Sequence, residues 1–356
     1  MPPLRQMCKG RDVQRLSPTL DSIVRDPAWL AHRYDPGHDA FHFRLTPRDV
    51  HRSVTFITEE LLPPAGDPVV LRRQDAIAAL GTKAPLHFIF HSAYCCSTML
   101  ARAFDLEGFA MGLKEPVLLN DLVGWRRRGA PPRQIAEVLG HSLDLLARPF
   151  GDGEAVIVKP SNIVNGLAEA MLAMRPQSRA LFLYAPLPTY LRSIARKDMW
   201  GRLWVRELLI GLLKDGLVDL GFSDEQYLGL TDLQVGAVGW LAQHALFARL
   251  VERFGRERVA TLDSQRLLAE PRPVVTALAG HFGLGAGKTT IERIVTGPGF
   301  TSHSKSQTDF TPEQREAEQR DAAAVHGDEI AKVEQWVQAV AANAGLSFTL
   351  GAPLIA

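Results

Sequence analysis

From Leu86 onward the chain alternates short apolar runs with longer stretches in which apolar residues recur at helical spacing. LHFIFH (86–91), FAMGLK (109–114), AVIVK (155–159), ALFLY (180–184) and RVATL (258–262) are rich in Val, Ile, Leu and Phe and show no regular polar alternation. A strand covered on both faces needs that composition, so the runs predict a parallel sheet. After the first run, STMLARAFDLEG places Met99, Leu100, Ala103, Phe104 and Leu106 on one helix face, with Gly108 as its end. Further helical patterns cover Val164–Met174, Thr189–Lys197 and Ser264–Phe282. Strand–helix alternation at this spacing predicts an α/β fold, a doubly wound parallel sheet with right-handed crossovers.

A mostly helical insertion, Leu203–Phe254, separates the last two strands, and a final helix is expected over Pro312–Ala342. The loop Gly297–Phe310 and the Pro-rich turn Ala130–Arg133 interrupt the pattern. Residues 1–85 are rich in Pro, Arg, Asp and His, with one amphipathic stretch near Pro47–Leu62, and read as an extension packed on the core. Residues 86–356 then form one domain carrying the insertion at about 203–254. No internal repeat or low-complexity tract is present.

Composition narrows the function class. Of 356 residues, 46% are hydrophobic and 22% charged, values of an ordinary globular protein. Forty basic and 39 acidic side chains leave a formal charge of +1. No global field draws the chain to nucleic acid or to an anionic membrane, so any anion site is local. Cys8, Cys95 and Cys96 cannot build a disulfide framework, and the last two lack structural-zinc spacing. The N-terminal MPPLRQMCKGRDVQRL has no apolar core of a signal peptide. No apolar run approaches the ~18–20 residues of a membrane span. The expectation is a cytoplasmic protein with a small-molecule partner and no metal.

In sheets of this kind ligands sit beyond the carboxyl ends of the strands. The first strand-to-helix turn reads His91-Ser92-Ala93-Tyr94-Cys95-Cys96-Ser97-Thr98. Successive backbone amides curling there, with the partial positive charge of a helix N-terminus, make an anion site of the P-loop nucleotide-binding type. Ser97 and Thr98 add hydroxyl donors. Spacing alone fits equally well with Ser97 as a simple helix cap.

The segment FIFHSAYCCSTMLAR resembles the 5′-phosphosulfate loop of the sulfotransferase family, whose bacterial members carry patterns such as GSPRSGTTLLAR. Ser92 falls on the first serine, Cys95 on the second, and Ser97 and Thr98 on the paired hydroxyls. KEPVLLNDL (114–122), LFLYAPLPTYLRS and RVATLDSQRLLAEPRPVVTALAGHFGL (258–284) resemble further family segments in the same order. The resemblance spans roughly Leu86 to Lys305. It implies transfer of a sulfuryl group from 3′-phosphoadenosine-5′-phosphosulfate to a small-molecule hydroxyl or amine. It also implies that loop residues Ser92, Ala93, Tyr94, Cys95, Cys96, Ser97 and Thr98 hold the 5′-phosphosulfate and that Ser193 contacts the 3′-phosphate. The chain departs from the pattern at three positions. Tyr94 stands where the family has a cation, Cys96 where it has glycine, and Ala185 where an arginine binds the 3′-phosphate.

Sulfuryl transfer needs a base for the acceptor proton and positive charge on the leaving phosphate. Glu115, after the second strand, is the candidate base, against the alternative of an exposed loop carboxylate. Lys159 ends the third strand and is the candidate electrostatic stabiliser, against a lysine snorkelling from a strand end. Lys114 is a second candidate for that cation, and Arg192 for the absent arginine. His303 and Lys305 lie in GFTSHSKSQ (299–307), which resembles the family loop closing over the 3′-phosphate. A non-catalytic or kinase-like P-loop nucleotide-binding protein is the alternative reading, with Asp263 as the strand-end aspartate. Cys96 and Arg102 also satisfy the CX5R spacing of cysteine phosphatases, although Met99 and Leu100 between them follow helical spacing. GLGAGKTT (283–290) imitates a Walker loop but misses its spacing and follows a helical pattern, so Gly283 and Gly285 read as helix-ending residues.

Overall fold

The computed structural model describes residues 18–301 and 312–355. Among the described residues, eight strands fall into two sheets. The first is antiparallel, in the order β1 (Trp29–Asp35), β2 (Ala40–Leu45), β3 (Val69–Arg72). The sequence pattern does not announce this sheet, because polar side chains occupy its inward positions: His32 is 4% exposed and Arg44 9%. Within Pro47–Leu62 only Arg48–Ser53 is helical.

The second sheet is parallel, in the order β5 (Ala110–Lys114), β6 (Ala155–Lys159), β4 (Leu86–His91), β7 (Ala180–Tyr184), β8 (Val259–Asp263). All residues of β4, β5 and β6 are buried, as apolar runs without alternation predict. One face carries Ile89, Ile157, Leu181 and Leu183 against the helices Ser97–Phe104, Leu187–Ala195 and Pro271–His281. The other carries Phe88, Phe90, Val156, Val158 and Phe182 against Val117–Arg127, Pro132–Leu146 and Ala168–Met174. The sheet is therefore wound on both faces. Phe41, Phe43 and Ile57 of the N-terminal segment join that second layer, and Arg48 ties the segment down through Glu154 and Asp105.

The insertion consists of the helices Asp198–Lys214, Asp224–Leu228 and Asp232–Phe254. The last of these reaches both faces, with Phe247 stacked on Phe182 at 4.5 Å. The expected helix over Ser264–Phe282 is two helices, Ser264–Ala269 and Pro271–His281, because Pro271 lacks the amide that would continue the first. The last helix runs Pro312–Asn343. The C-terminal segment bridges β8, with Thr261 donating to Ala352 O and accepting from Leu354 N, which covers the sheet's outer edge. No described helix is long and apolar enough to cross a membrane.

The chain leaves β4 toward β5 and β6 on one side and later returns to β7 and β8 on the other. The carboxyl end of β4 thus lies at the topological switch point, where a crevice opens in such sheets.

Candidate active site

Strand β4 ends at His91, and the chain turns through Ser92–Cys96 into the helix Ser97–Phe104. Ala93, Tyr94 and Cys96 adopt φ of 73°, 52° and 62°. The left-handed region costs an L-residue roughly 1–2 kcal/mol, so three such residues within four positions are held there by their surroundings. Backbone strain of this kind concentrates at functional sites. Left-handed residues curl successive amides into a concave nest, and the helix beyond it leaves its first amides without intrahelical partners. Gly112 of β5 lets that helix lie against the sheet: a β-carbon there would meet Ala101 O at 2.3 Å.

The loop borders a cleft of about 310 Å³ lined by Ala93, Tyr94, Cys96, Ser97 and Thr98. Two assigned loop residues do not turn their side chains into it. Ser92 is fully buried, its hydroxyl facing the Ala185 amide at 3.4 Å and its own amide donating to Leu183 O. Cys95 is 1% exposed and its thiol donates to the same Leu183 carbonyl. Burial pushes that thiol up to about 11. Both side chains anchor the loop to the end of β7, and neither lines the cleft.

The floor is built from strand ends. Lys159 is 1% exposed, ion-paired with Glu115 and set over the Phe56 ring at 5.1 Å. Glu115 also has positive φ, 53°, directly before Pro116, a second strained position at the same cleft. His91 Nδ1 accepts from the Ala93 amide at 3.0 Å, and Nε2 lies 3.0 Å from Pro160 O and 3.9 Å from Glu115 Oε1. Asn162 lines the cleft with a buried amide nitrogen that has no hydrogen-bond partner among the described residues.

The opposite wall comes from the helix Leu187–Ala195 and the residues just after it. Ser193 Oγ donates to Thr189 O at 2.8 Å and accepts from Gln319 at 3.3 Å. Arg196 pairs with Glu318 of the last helix, and Lys197 sits over the Trp200 ring at 5.1 Å. Trp200 and Trp204 stack at 6.5 Å, and Tyr94 meets Trp204 edge-on at 5.3 Å. Among the described residues, Lys159, Arg196 and Lys197 line the cleft with Glu115 and Glu318, three Lys and Arg side chains to two carboxylates.

No protein-family profile matches the chain, and no curated protein matches it. Solved structures do. The chain is similar to the sulfotransferase domain from the curacin biosynthetic pathway at 12% identity and a TM-score of 0.41, over 69% of this chain and 98% of that one. It is similar to the sulfotransferase domain from the Synechococcus PCC 7002 olefin synthase at 13% identity and a TM-score of 0.41, over 66% and 84%. Sulfotransferase STF1 from Mycobacterium tuberculosis H37Rv matches at 14% identity and a TM-score of 0.38, over 68% and 77%.

The structure brings Ala93, Tyr94, Cys96, Ser97, Thr98, Glu115, Lys159 and Ser193 to one cleft. Lys114 is elsewhere: its ammonium donates to His51 O and Val54 O, and burial lowers it to about 8. It holds the N-terminal segment and does not replace the cation absent at Tyr94. Arg192 does not line the cleft. His303 and Lys305 lie outside the described residues. Arg102 sits on the loop helix beyond its first turn and is not in the cleft. Asp263 caps the helix Ser264–Ala269 through the Gln265 amide. Arg196 and Lys197 escaped the sequence reading, yet they stand three and four residues after Ser193, the spacing of one helix face. Phe56 had no local signal, because only the fold brings it over Lys159.

Proposed function

We propose that this cleft binds a phosphorylated nucleotide and that the protein transfers a sulfuryl group from 3′-phosphoadenosine-5′-phosphosulfate to a small-molecule hydroxyl or amine. The observation that carries this reading is the strained loop Ala93–Cys96 running into a helix N-terminus beside the Lys159–Glu115 pair. Amides and hydroxyls of Ser97 and Thr98 suit the 5′-phosphosulfate. Ser193, Arg196 and Lys197 suit a second anionic group, which offsets the arginine absent at Ala185. Lys159 supplies positive charge near the loop, where Tyr94 supplies none. The Asn162 amide is a further donor in the same cleft, so the residues present fit the donor.

In the reaction the acceptor O–H or N–H gives its proton to the Glu115 carboxylate. The donor, when bound, would supply the sulfuryl group on a phosphate leaving group, and Lys159 and the loop amides would oppose the charge that this phosphate gains. Trp200, Trp204 and Tyr94 line the same cleft and bound the acceptor space. A phosphatase reading is poorly supported, since Arg102 is too far along its helix to grip a phosphate beside Cys96.

The test is calorimetric titration with 3′-phosphoadenosine-5′-phosphate beside ATP, AMP and sulfate. Micromolar binding that requires the 3′-phosphate is expected. Folded protein that ignores it, or prefers ATP, overturns the reading. Cys96→Ser retains binding and transfer on this scheme and abolishes turnover in a cysteine phosphatase.

A further inference from the structure

Among the described residues, His91 is the side chain that touches both halves of the cleft floor. It closes β4 at the centre of the sheet and is 4% exposed. Its Nδ1 accepts the Ala93 amide, the first left-handed residue of the loop. A ring nitrogen that accepts an amide carries no proton, so the proton of the neutral ring is on Nε2. That N–H points at Pro160 O, 3.0 Å away, the carbonyl next after Lys159. Glu115 Oε1 lies 3.9 Å from the same nitrogen. The ring at the end of β4 therefore bonds the loop on one side and the residue after β6 on the other, with Glu115 beside it.

The backbone of His91 is held as well. Asn165 Nδ2 donates to the His91 carbonyl at 2.9 Å and to Gln243 Oε1 at 3.0 Å, and Gln243 Nε2 donates to Gly239 O at 3.1 Å. Asn165 and Gln243 are buried, so this chain of hydrogen bonds fixes the strand end against the helix Asp232–Phe254. A connected buried network of this kind specifies one geometry.

We infer that His91, as the neutral Nε2–H tautomer, is a positioning residue that sets the anion loop against the Lys159–Glu115 pair. It holds the loop through Nδ1 and, through Nε2, the Pro160 carbonyl that follows Lys159, so the loop and the end of β6 are tied to one ring. The inference rests on the proposed function for its kinetic consequence, but its geometry stands without any ligand. Asparagine and glutamine separate the two contacts: Asn places an acceptor near the position of Nδ1, and Gln places a donor near that of Nε2.

The ligand-free test is nitrogen-15 spectroscopy of the histidines and of the Ala93 amide. An unprotonated Nδ1 on His91, and an Ala93 amide proton that moves in His91→Gln but less in His91→Asn, are expected. A protonated Nδ1, or an Ala93 amide indifferent to both changes, overturns the assignment whether or not any nucleotide binds. The functional test titrates both variants with 3′-phosphoadenosine-5′-phosphate and measures transfer. His91→Gln, losing the loop contact, weakens binding by about tenfold, the scale of one hydrogen bond. His91→Asn binds within about threefold of the parent but loses about tenfold or more in kcat, since its lost contact lies on the Lys159 side. Equal effects of both variants on affinity and on kcat, tracking their melting temperatures, assign His91 a merely structural role. A parent protein that binds no nucleotide sinks the proposed function, and the spectroscopic arm still decides the tautomer and the contact.

Discussion

Glu115 and Lys159 meet twice: the Glu115 amide donates to the Lys159 carbonyl at 2.7 Å, and the Lys159 ammonium is ion-paired with the Glu115 carboxylate. Glu115 stands one residue beyond β5, next to Lys114, which is the register partner of Lys159 at the end of β6. The backbone contact fixes the spacing and the side-chain contact fills the floor of the cleft. The two partners are not equivalent, because the Lys159 side chain is 1% exposed and that of Glu115 17%.

That inequality predicts unequal costs. Glu115→Ala leaves an ammonium buried against Phe56 with no counter-charge, and breaking a buried pair in this way costs about 3–5 kcal/mol. Lys159→Met leaves a carboxylate that reaches water, so its cost is smaller, about 1–2 kcal/mol. On the proposed function, sulfuryl transfer should fall about a hundredfold or more in Lys159→Met, the scale for removing one preorganised charge. Denaturant titration and transfer rates on the two variants check this. Equal losses of stability contradict the burial argument, and a Lys159→Met enzyme of normal rate removes Lys159 from the chemistry.

Gly112 carries the second prediction. Its missing β-carbon admits the Ala101 carbonyl, so Gly112→Ala must push the helix Ser97–Phe104 off β5. Overpacking of this kind costs about 1–3 kcal/mol. Because Ser97 and Thr98 open that helix, affinity for 3′-phosphoadenosine-5′-phosphate should drop along with the melting temperature. Gly140→Ala has open space around it and serves as the control. Loss of stability with unchanged affinity separates the loop from its helix.

The central sheet was legible because its strands are buried on both faces. Leu86–His91, Ala155–Lys159 and Ala180–Tyr184 lie where apolar runs without alternation place them; β5 starts one residue later than its run, and β8 is shifted from its run by one residue. The N-terminal sheet was not legible, since His32 and Arg44 turn inward to meet Glu59, and polar residues at inward positions erase the period of two. The loop was legible as a turn, but which hydroxyls face the cleft was not. Ser92 and Ser97 look alike in sequence, and only the packing against the end of β7 turns the first away from the cleft. Arg196 and Lys197 were readable from Ser193 by helical spacing. Gln319 and Phe56 were not, because they arrive from opposite ends of the chain.

Buried histidines set the acid limit of stability. Burial lowers His51 and His244 to about 3 and His87 to about 4, from 6.5. Below pH 6.5 the unfolded chain takes up protons that the folded chain refuses. Stability is therefore full above that pH and declines as pH falls toward 4. At pH 5 each histidine accounts for about 2 kcal/mol. His244→Phe keeps the stack on Trp240, whose ring centroid is 3.6 Å away, and removes one of these protons. Melting curves between pH 5 and 8 should show a shallower acid decline in this variant. An unchanged slope means that His244 accepts its proton in the folded state.

Arg196 and Glu318 give the last prediction. Arg196 brings a guanidinium to the cleft, and in the structure it is spent on Glu318, whose side chain is 48% exposed. An exposed pair of this kind contributes about 0–1 kcal/mol to stability, so breaking it should leave the melting temperature nearly unchanged. Its effect on an anionic ligand is larger and has opposite signs for the two partners. Arg196→Ala removes a charge-assisted contact and should weaken 3′-phosphoadenosine-5′-phosphate binding by about tenfold or more. Glu318→Gln removes a carboxylate from the cleft wall and frees the guanidinium, so binding should tighten, by about two- to fivefold at low salt. Raising the ionic strength should shrink both effects, because both groups are open to solvent. AMP is the internal control, since it lacks the 3′-phosphate. If Arg196→Ala weakens AMP and 3′-phosphoadenosine-5′-phosphate equally, Arg196 serves the loop end of the cleft. If it weakens only the latter, the arginine missing at Ala185 has been replaced from one helical turn beyond Ser193.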